Sequence, residues 1–252
     1  MSRFDGDTTI VTGASTGIGE ATAKRFAAEG ANVVVADVNV ADAEATVADI
    51  DAEGGEATFV ETDVSDAEAV AALVETTVEE YGGLDYAIND AGVEGENAPL
   101  AEQSLENWAQ VIGVNLTGVF QCMRAEIAAI LEDDGGAIVN VASIAGEVAF
   151  PDVSPYVASK FGVVGLTKTA AVEYSREGVR VNAVCPGVID TPMVDQAREG
   201  TPEMIDQVSA ATPIGRIGQP EEIGDAMVWL CSEEASFVTG EAMVIDGGYV
   251  SQ

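Results

Sequence analysis

Short runs of β-branched and small apolar residues alternate with longer segments of helical periodicity along the whole chain, and nothing else in the sequence constrains its fold as tightly. The runs are Thr8–Thr12, Asn32–Asp37, Ala57–Thr62, Leu84–Asn89, Ala137–Ser143, Arg180–Cys185 and Ala242–Asp246. Helical patterns over about 17–29, 41–53, 66–81, 104–131, 155–176 and 220–231 separate them. Within 66–81, Val70, Leu73, Val74, Thr77, Val78 and Tyr81 share one stripe. Strands buried on both faces read as continuous apolar runs, and crossovers of this length join parallel neighbours. The pattern therefore predicts an α/β, Rossmann-type doubly wound parallel sheet of about seven strands, with helices on both faces. At 252 residues the chain suits one domain, 1–252. Residues 188–218 are rich in Pro and Gly and carry no pattern. So long an irregular stretch inside a compact domain is a candidate substrate lid.

Charge and residue absences narrow the chemistry. The chain holds 44 acidic and 10 basic residues, for a net charge of −34. Binding a phosphate backbone needs clustered Lys and Arg, so a nucleic-acid role is excluded. The acids are spread between apolar segments instead of forming a tail. Such a surface is expected of an extreme halophile, because at 1 M salt the Debye length shrinks to about 3 Å and self-repulsion becomes tolerable. No apolar run approaches the roughly 18 residues that span a bilayer, and residues 1–5 lack a secretory pattern, so a soluble cytoplasmic protein without membrane partners is expected. There is no histidine, and Cys122, Cys185 and Cys231 lack C-x-x-C spacing. No metal site is expected, and acid–base work falls to Tyr, Lys, Asp, Glu or Cys.

Gly13-x-x-x-Gly17-x-Gly19 closes the first strand and opens the first helix. Glycines there let the backbone approach a pyrophosphate lying on the helix N-terminus. By itself the spacing also fits a ligand-free turn. Asp37, at the end of the second strand, adds a carboxylate that can accept hydrogen bonds from a ribose 2′-hydroxyl. No Arg or Lys among residues 36–42 offsets its charge against a 2′-phosphate. NAD is therefore expected over NADP. Asp63-Val64 and Asn89-Asp90-Ala91-Gly92 end the third and fourth strands beside the same crevice.

Ser143 ends the fifth run, and Tyr156-x-x-x-Lys160 opens the following helix. An i,i+4 pair shares a helix face, so phenol and ammonium can enter one pocket. Free tyrosine titrates near about 10, and a fixed ammonium lowers that value. Bringing it close to neutrality takes about 4 kcal/mol of differential interaction.

Taken together, Thr12-Gly13-Ala14-Ser15-Thr16-Gly17-Ile18-Gly19, Asn89-Asp90-Ala91-Gly92, Asn115, Ser143, Tyr156/Lys160 and Pro186-Gly187 resemble the short-chain dehydrogenase/reductase family in its roughly 250-residue form, in family order over almost the whole chain. The resemblance implies a catalytic tetrad of Asn115, Ser143, Tyr156 and Lys160. In it Tyr156 exchanges the proton, and Ser143 positions the substrate oxygen. Lys160 holds the nicotinamide ribose and lowers the phenol's pKa, while Asn115 bends its helix around a water linked to Lys160. It also implies that Ser15, Thr16, Ile18, Asn89, Ala91, Pro186, Gly187, Val188 and Thr191 join Gly13, Gly17, Gly19, Asp37, Asp63, Val64 and Gly92 against NAD. The helices at 104–131 and 155–176 suggest, by the same resemblance, the faces of a homotetramer. Asp90 departs from the family pattern, where a second Asn is usual, and puts the local hydrogen bonding in question.

The substrate wall is expected from Ile144, Val148, Phe150, Val153, Val188 and Met193, with Glu94, Glu96 and Glu147 near the mouth. That lining suggests a neutral, modestly sized or cyclic secondary alcohol or ketone, interconverted with NAD(H). A 3-oxoacyl thioester reductase is the alternative enzyme, and a dinucleotide-sensing scaffold the non-enzymatic one. Retention of both Tyr156 and Lys160 argues against the scaffold.

Overall fold

In the computed structural model, residues 2–133, 135–195 and 204–252 are described. Seven strands form one sheet in the order β3-β2-β1-β4-β5-β6-β7, and every pairing is parallel. They are β1 (Thr8–Thr12), β2 (Asn32–Asp37), β3 (Glu56–Glu61), β4 (Tyr86–Asn89), β5 (Gly136–Val141), β6 (Val179–Pro186) and β7 (Ala242–Ile245). The chain starts at the centre, runs outward to β3, then crosses back over β1 to build the other half. That reversal between β1 and β4 is where sheets of this class open a ligand crevice.

The helices are α1 (Gly17–Ala28), α2 (Val40–Ala52), α3 (Ala67–Tyr81), α4 (Leu105–Ile112), α5 (Val119–Ile130), α6 (Ser154–Tyr174), α7 (Met204–Ala211) and α8 (Pro220–Cys231). Alternation along the strands divides the core in two. Val33 and Val35 pack with Phe26, Ile50 and Met227 on one face, while Val34 and Ala36 pack with Leu73, Ile127 and Val163 on the other. Each fully buried Ile or Leu in these layers contributes about 1.5–3 kcal/mol. The doubly wound reading thus matches the structure in strand count, direction and layering. Among the described residues no helix is long and apolar enough to cross a membrane.

Several boundaries differ from the sequence reading, for physical reasons. The helix expected over 104–131 is divided by a π-helical segment, Gly113–Gly118, between α4 and α5. Hydrophobic periodicity does not register a widened turn. Residues 192–195 and 204–211 are helical, so the segment 188–218 is not irregular throughout; its residues 196–203 lie outside those described. Val78, expected on the buried stripe of α3, is exposed, whereas Val70, Leu73, Val74 and Thr77 are buried. The strand expected to end at Ser143 ends at Val141.

Candidate active site

A cleft of about 800 Å³ opens along the carboxyl ends of β1, β2, β4, β5 and β6, within the range of small-molecule sites. Its floor at one end is the turn after β1. Gly13 has φ +68°, and a Cβ there would lie 2.8 Å from the backbone nitrogen of Ala91. Gly17 has φ +62° and packs against Thr191. Side chains at either position would fill the cradle and strain the backbone, as a turn built for close approach to a ligand requires. The Thr12 hydroxyl accepts from the backbone N–H groups of Asp90 (3.1 Å) and Ala91 (3.2 Å), which ties the two loops together.

Gly13, Ser15, Thr16, Gly17, Ile18, Asp37, Asp63, Val64, Ala91, Gly92, Pro186, Gly187, Val188 and Thr191 all line this cleft, together with Ser143, Tyr156 and Lys160. Asp37 accepts from the backbone N–H of Ser15 at 3.1 Å and of Asn39 at 2.9 Å. Lys160 is the only lysine or arginine among the described lining residues. The cradle, the acid at the end of β2 and the positive end of α1 are features that suit a dinucleotide.

Three expected site residues are not in the lining. Gly19 lies behind the turn, where a Cβ would meet the Gly13 carbonyl oxygen and the Asp90 carboxylate. Asn89 is turned into the core, where its amide donates to Glu126 Oε2 and Asn140 Oδ1, both at 3.0 Å. The reason is that Asn89, the last residue of β4, alternates away from the cleft. Asn115 is fully buried within the π-helical segment, and its amide grips Val93 both ways, accepting from its N–H and donating to its carbonyl at 2.8 Å each. It also donates to the Ser159 hydroxyl at 3.3 Å. Its side chain therefore fixes a loop, although its Oδ1 still flanks Gly92 together with Lys160 Nζ.

Ser143 caps a short 3₁₀ turn beyond β5 and accepts from the Ala145 N–H at 3.1 Å. Pro155 lies in the first turn of α6, which brings Tyr156 to the cleft. Lys160 Nζ donates to the Val141 carbonyl at 2.8 Å and lies 5.5 Å from the centre of the Tyr156 ring. Phenol and ammonium thus face one cleft. The expected depression of the phenol is not found. Burial pushes Tyr156 up to about 12, Glu94 and Asp90 add to the rise, and only contact with Ser143 opposes it. Burial lowers Lys160, and the Asp90 carboxylate counters that. Asp90, raised by burial, is held in turn by Lys160 and by the Gly19 N–H. Asp90 thus lies within electrostatic reach of Lys160, whereas the sequence reading had paired the lysine's charge with Tyr156 alone.

At the other end, Ile144, Phe150, Val153, Val188 and Met193 line the cleft as expected, and Val148 does not. Of the three acids expected at the mouth, Glu94 lines the cleft, whereas Glu96 and Glu147 are exposed and outside it. Tyr249 and Val208 belong to the wall and were missed. Tyr249 lies with its ring 6.5 Å from that of Phe150. Only an aromatic residue beside the terminal glycine pair Gly247-Gly248 hinted at it.

A family model described as enoyl-(acyl carrier protein) reductase matches residues 13–250. The chain is 45% identical over 251 residues to a cyclohexanol dehydrogenase from Acinetobacter sp. (strain SE19), covering 100% of this chain and 98% of that one. The crystal structure of levodione reductase superposes with a TM-score of 0.96 at 37% identity, covering 99% of both chains. A variant of actinorhodin polyketide ketoreductase, solved with NADPH, gives 0.95 at 38% identity and covers 100% of both.

Proposed function

The chain belongs to the short-chain dehydrogenase/reductase family, and from that membership we propose that it interconverts an alicyclic secondary alcohol and its ketone with NAD(H), Tyr156 exchanging the proton. The chain is an oxidoreductase of small-molecule alcohols and ketones that uses a nicotinamide dinucleotide. The finer reading rests on one observation. A single cleft joins a glycine cradle beside Asp37 to an apolar end, and the phenol of Tyr156 lies with Ser143 between them.

The dinucleotide supplies the hydride; the protein supplies placement and a proton. The turn at Gly13–Gly17 would receive the pyrophosphate, and Asp37 the adenosine ribose hydroxyls. Asp37 would repel a 2′-phosphate, and no cation in the described lining offsets it, which supports NAD over NADP. Ser143 would donate to the substrate oxygen and hold it beside Tyr156. A phenol held at about 12 carries its proton at neutral pH, ready to donate to the developing alkoxide. Lys160, fixed beneath the ring by the Val141 carbonyl, would hold the second ribose. Asn115 would serve by anchoring Val93.

The apolar wall supports a cyclic substrate, as in the cyclohexanol dehydrogenase relative. A 3-oxoacyl-(acyl-carrier-protein) reductase from Thermotoga maritima, 38% identical over 248 residues, supports a 3-oxoacyl thioester reductase as the second reading. Residues 188–218 would form the lid. The acid excess suits a protein working in concentrated salt in the cytoplasm, and exposed Leu105, Trp108, Phe120, Phe161 and Val172 on α4, α5 and α6 support a homotetramer. Steady-state kcat/KM for cyclohexanone, a 3-oxoacyl thioester and both reduced dinucleotides, in molar salt, tests the reading. Cyclohexanone with NADH should be the best pair. Preference for the thioester with NADPH refutes it.

A further inference from the structure

The substrate end of the cleft holds one acid that the chemistry above does not use. Glu94 lines the cleft and is half-buried. Burial raises its carboxyl above the ordinary range, and among the described residues no donor or cation pulls it back. Asp90, the other acid near Tyr156, differs in this respect, being held by Lys160 and the Gly19 N–H. Glu96 and Glu147 differ too, since both point into solvent.

The backbone that carries Glu94 is clamped on both sides. The buried Asn115 amide holds Val93 by two hydrogen bonds of 2.8 Å. The buried Asn107 amide accepts from the Glu96 N–H at 2.9 Å and donates to the Glu96 carbonyl at 3.2 Å. Between them Gly95, at φ +82°, is pressed so closely onto α4 that a Cβ would lie 2.4 Å from Val111. Two buried amides spent on four residues of loop fix the place of the side chain between them, as a binding group requires. The cleft that it lines has an apolar wall that includes Val93, Ile144, Phe150, Val153, Met193 and Tyr249. An unpaired carboxylate on such a wall is costly, and a ligand that brings a donor to it recovers part of that cost.

We infer that Glu94 determines specificity by accepting a hydrogen bond from a second hydroxyl of the substrate, which makes the preferred substrates alicyclic diols and hydroxyketones. The inference rests on the alicyclic reading above. A neutral hydroxyl fits better than an ammonium, which would have to be stripped of water against the same apolar wall. A ring bearing a carboxylate would be repelled.

The test is kcat/KM of the wild-type protein in molar salt for cyclohexanol, the cyclohexane-1,2-, 1,3- and 1,4-diols, 4-hydroxycyclohexanecarboxylate and 4-aminocyclohexanol. At least one diol should exceed cyclohexanol by about tenfold, the worth of a hydrogen bond to a charged acceptor. The diol-to-cyclohexanol ratio should fall towards one in Glu94→Leu and be partly kept in Glu94→Gln, whose amide oxygen still accepts. The carboxylate ring should gain on cyclohexanol in both variants. Taking ratios within each protein removes effects on folding yield; if Glu94→Leu does not accumulate, the wild-type ranking and Glu94→Gln decide. Turnover of cyclohexanol with no diol preference, or an unchanged ratio in the variants, overturns the inference and leaves the alicyclic reading standing. Preference for the amino alcohol over every diol also overturns it. No turnover of any alicyclic alcohol sinks both.

Discussion

The two ends of the cleft are built from different material. At the nucleotide end the surface is largely backbone: a turn with two glycines at positive φ, a strand terminus and the start of α1. At the substrate end it is side chains, delivered by residues 93–94, 144–145, 150–153, 188–194, 208 and 249. A backbone cradle is specified by a few adjacent residues, and its form cannot drift far without breaking the turn. A side-chain wall assembled from distant segments can change at any one of them and leave the fold intact. The same scaffold can therefore keep its cofactor while varying its substrate.

The comparison is tested hardest at the junction. Tyr156→Phe removes the proton donor and little volume, so kcat for ketone reduction should fall by about 10³-fold. The Kd for NADH, read by fluorescence, should stay within about twofold. A phenol near 12 also fixes the sign of the pH dependence. It is protonated throughout the neutral range, so wild-type reduction should lose nothing to this group on acidification, while alcohol oxidation should climb with pH through 9 and 10. A collapse of NADH binding in the Phe variant would show that the two ends are not separable.

A second variant lies beneath the nucleotide end, in the core. Glu126 is fully buried, accepts from Asn89 at 3.0 Å, and has a second oxygen without a partner, as does Asn89 Oδ1. Burial raises its carboxyl to about 7. A carboxyl whose folded pKa exceeds its unfolded value of about 4.3 is tolerated protonated. The cost of ionising it is therefore absent in acid, grows between about pH 4 and 7, and is complete above. Its ceiling is about 4 kcal/mol. Glu126→Gln stays neutral and offers an N–H towards the orphaned Asn89 oxygen, so Tm at pH 8 should rise by several degrees. The gain should vanish near pH 4. Equal gains at both pH values would mean that the fold does not raise the carboxyl's pKa.

What the sequence discloses follows the same division. Gly13, Gly17 and Asp37 could be placed because a tight turn and a strand end are local, and the strand count and parallel direction followed from periodicity and crossover length. The exit of Asn89 from the cleft depends on which way one residue alternates at the end of β4, one step beyond what a motif encodes. The π-helical widening at 113–118 that buries Asn115 leaves no mark on hydrophobic spacing. The phenol's high pKa could not be foreseen either, because it is set first by how deeply the fold buries the ring, and then by Glu94 and Asp90, loop acids among the 44 acids of the chain. In so acidic a sequence Glu94, Glu96 and Glu147 look alike; only the loop path separates them.

Asp37→Ser probes the nucleotide end alone. The variant loses the charge opposed to a 2′-phosphate and weakens the acceptor facing Ser15 and Asn39. Charge-assisted hydrogen bonds of this kind are worth about 2 kcal/mol. The NADPH-to-NADH ratio of kcat/KM should accordingly rise about 30-fold. The ranking of alcohols should not move. A changed substrate ranking would break the division.

The smallest effect belongs to the residue least visible in the sequence. Tyr249 sits in a short 3₁₀ turn after Gly248, and Asp246 holds that turn by accepting from the N–H groups of Gly248 and Val250 at 2.8 Å each. Those bonds join the Asp246 carboxylate to backbone N–H groups and do not use the Tyr249 side chain, so Tyr249→Leu should keep the turn and the apolar area while losing the ring that lies against Phe150. Aromatic pairs contribute about 0.5–1.5 kcal/mol beyond their burial. If that contact stiffens the wall against a cyclic substrate, KM for cyclohexanone should rise by about 2- to 10-fold. The Kd for NADH should not follow it, because Tyr249 reaches the cleft from the chain terminus, away from the Gly13–Gly17 turn and Asp37. Parallel losses in both would mean that the chain end supports the whole cleft, and the contrast between a backbone-built end and a side-chain-built end would fail at the position where it is easiest to see.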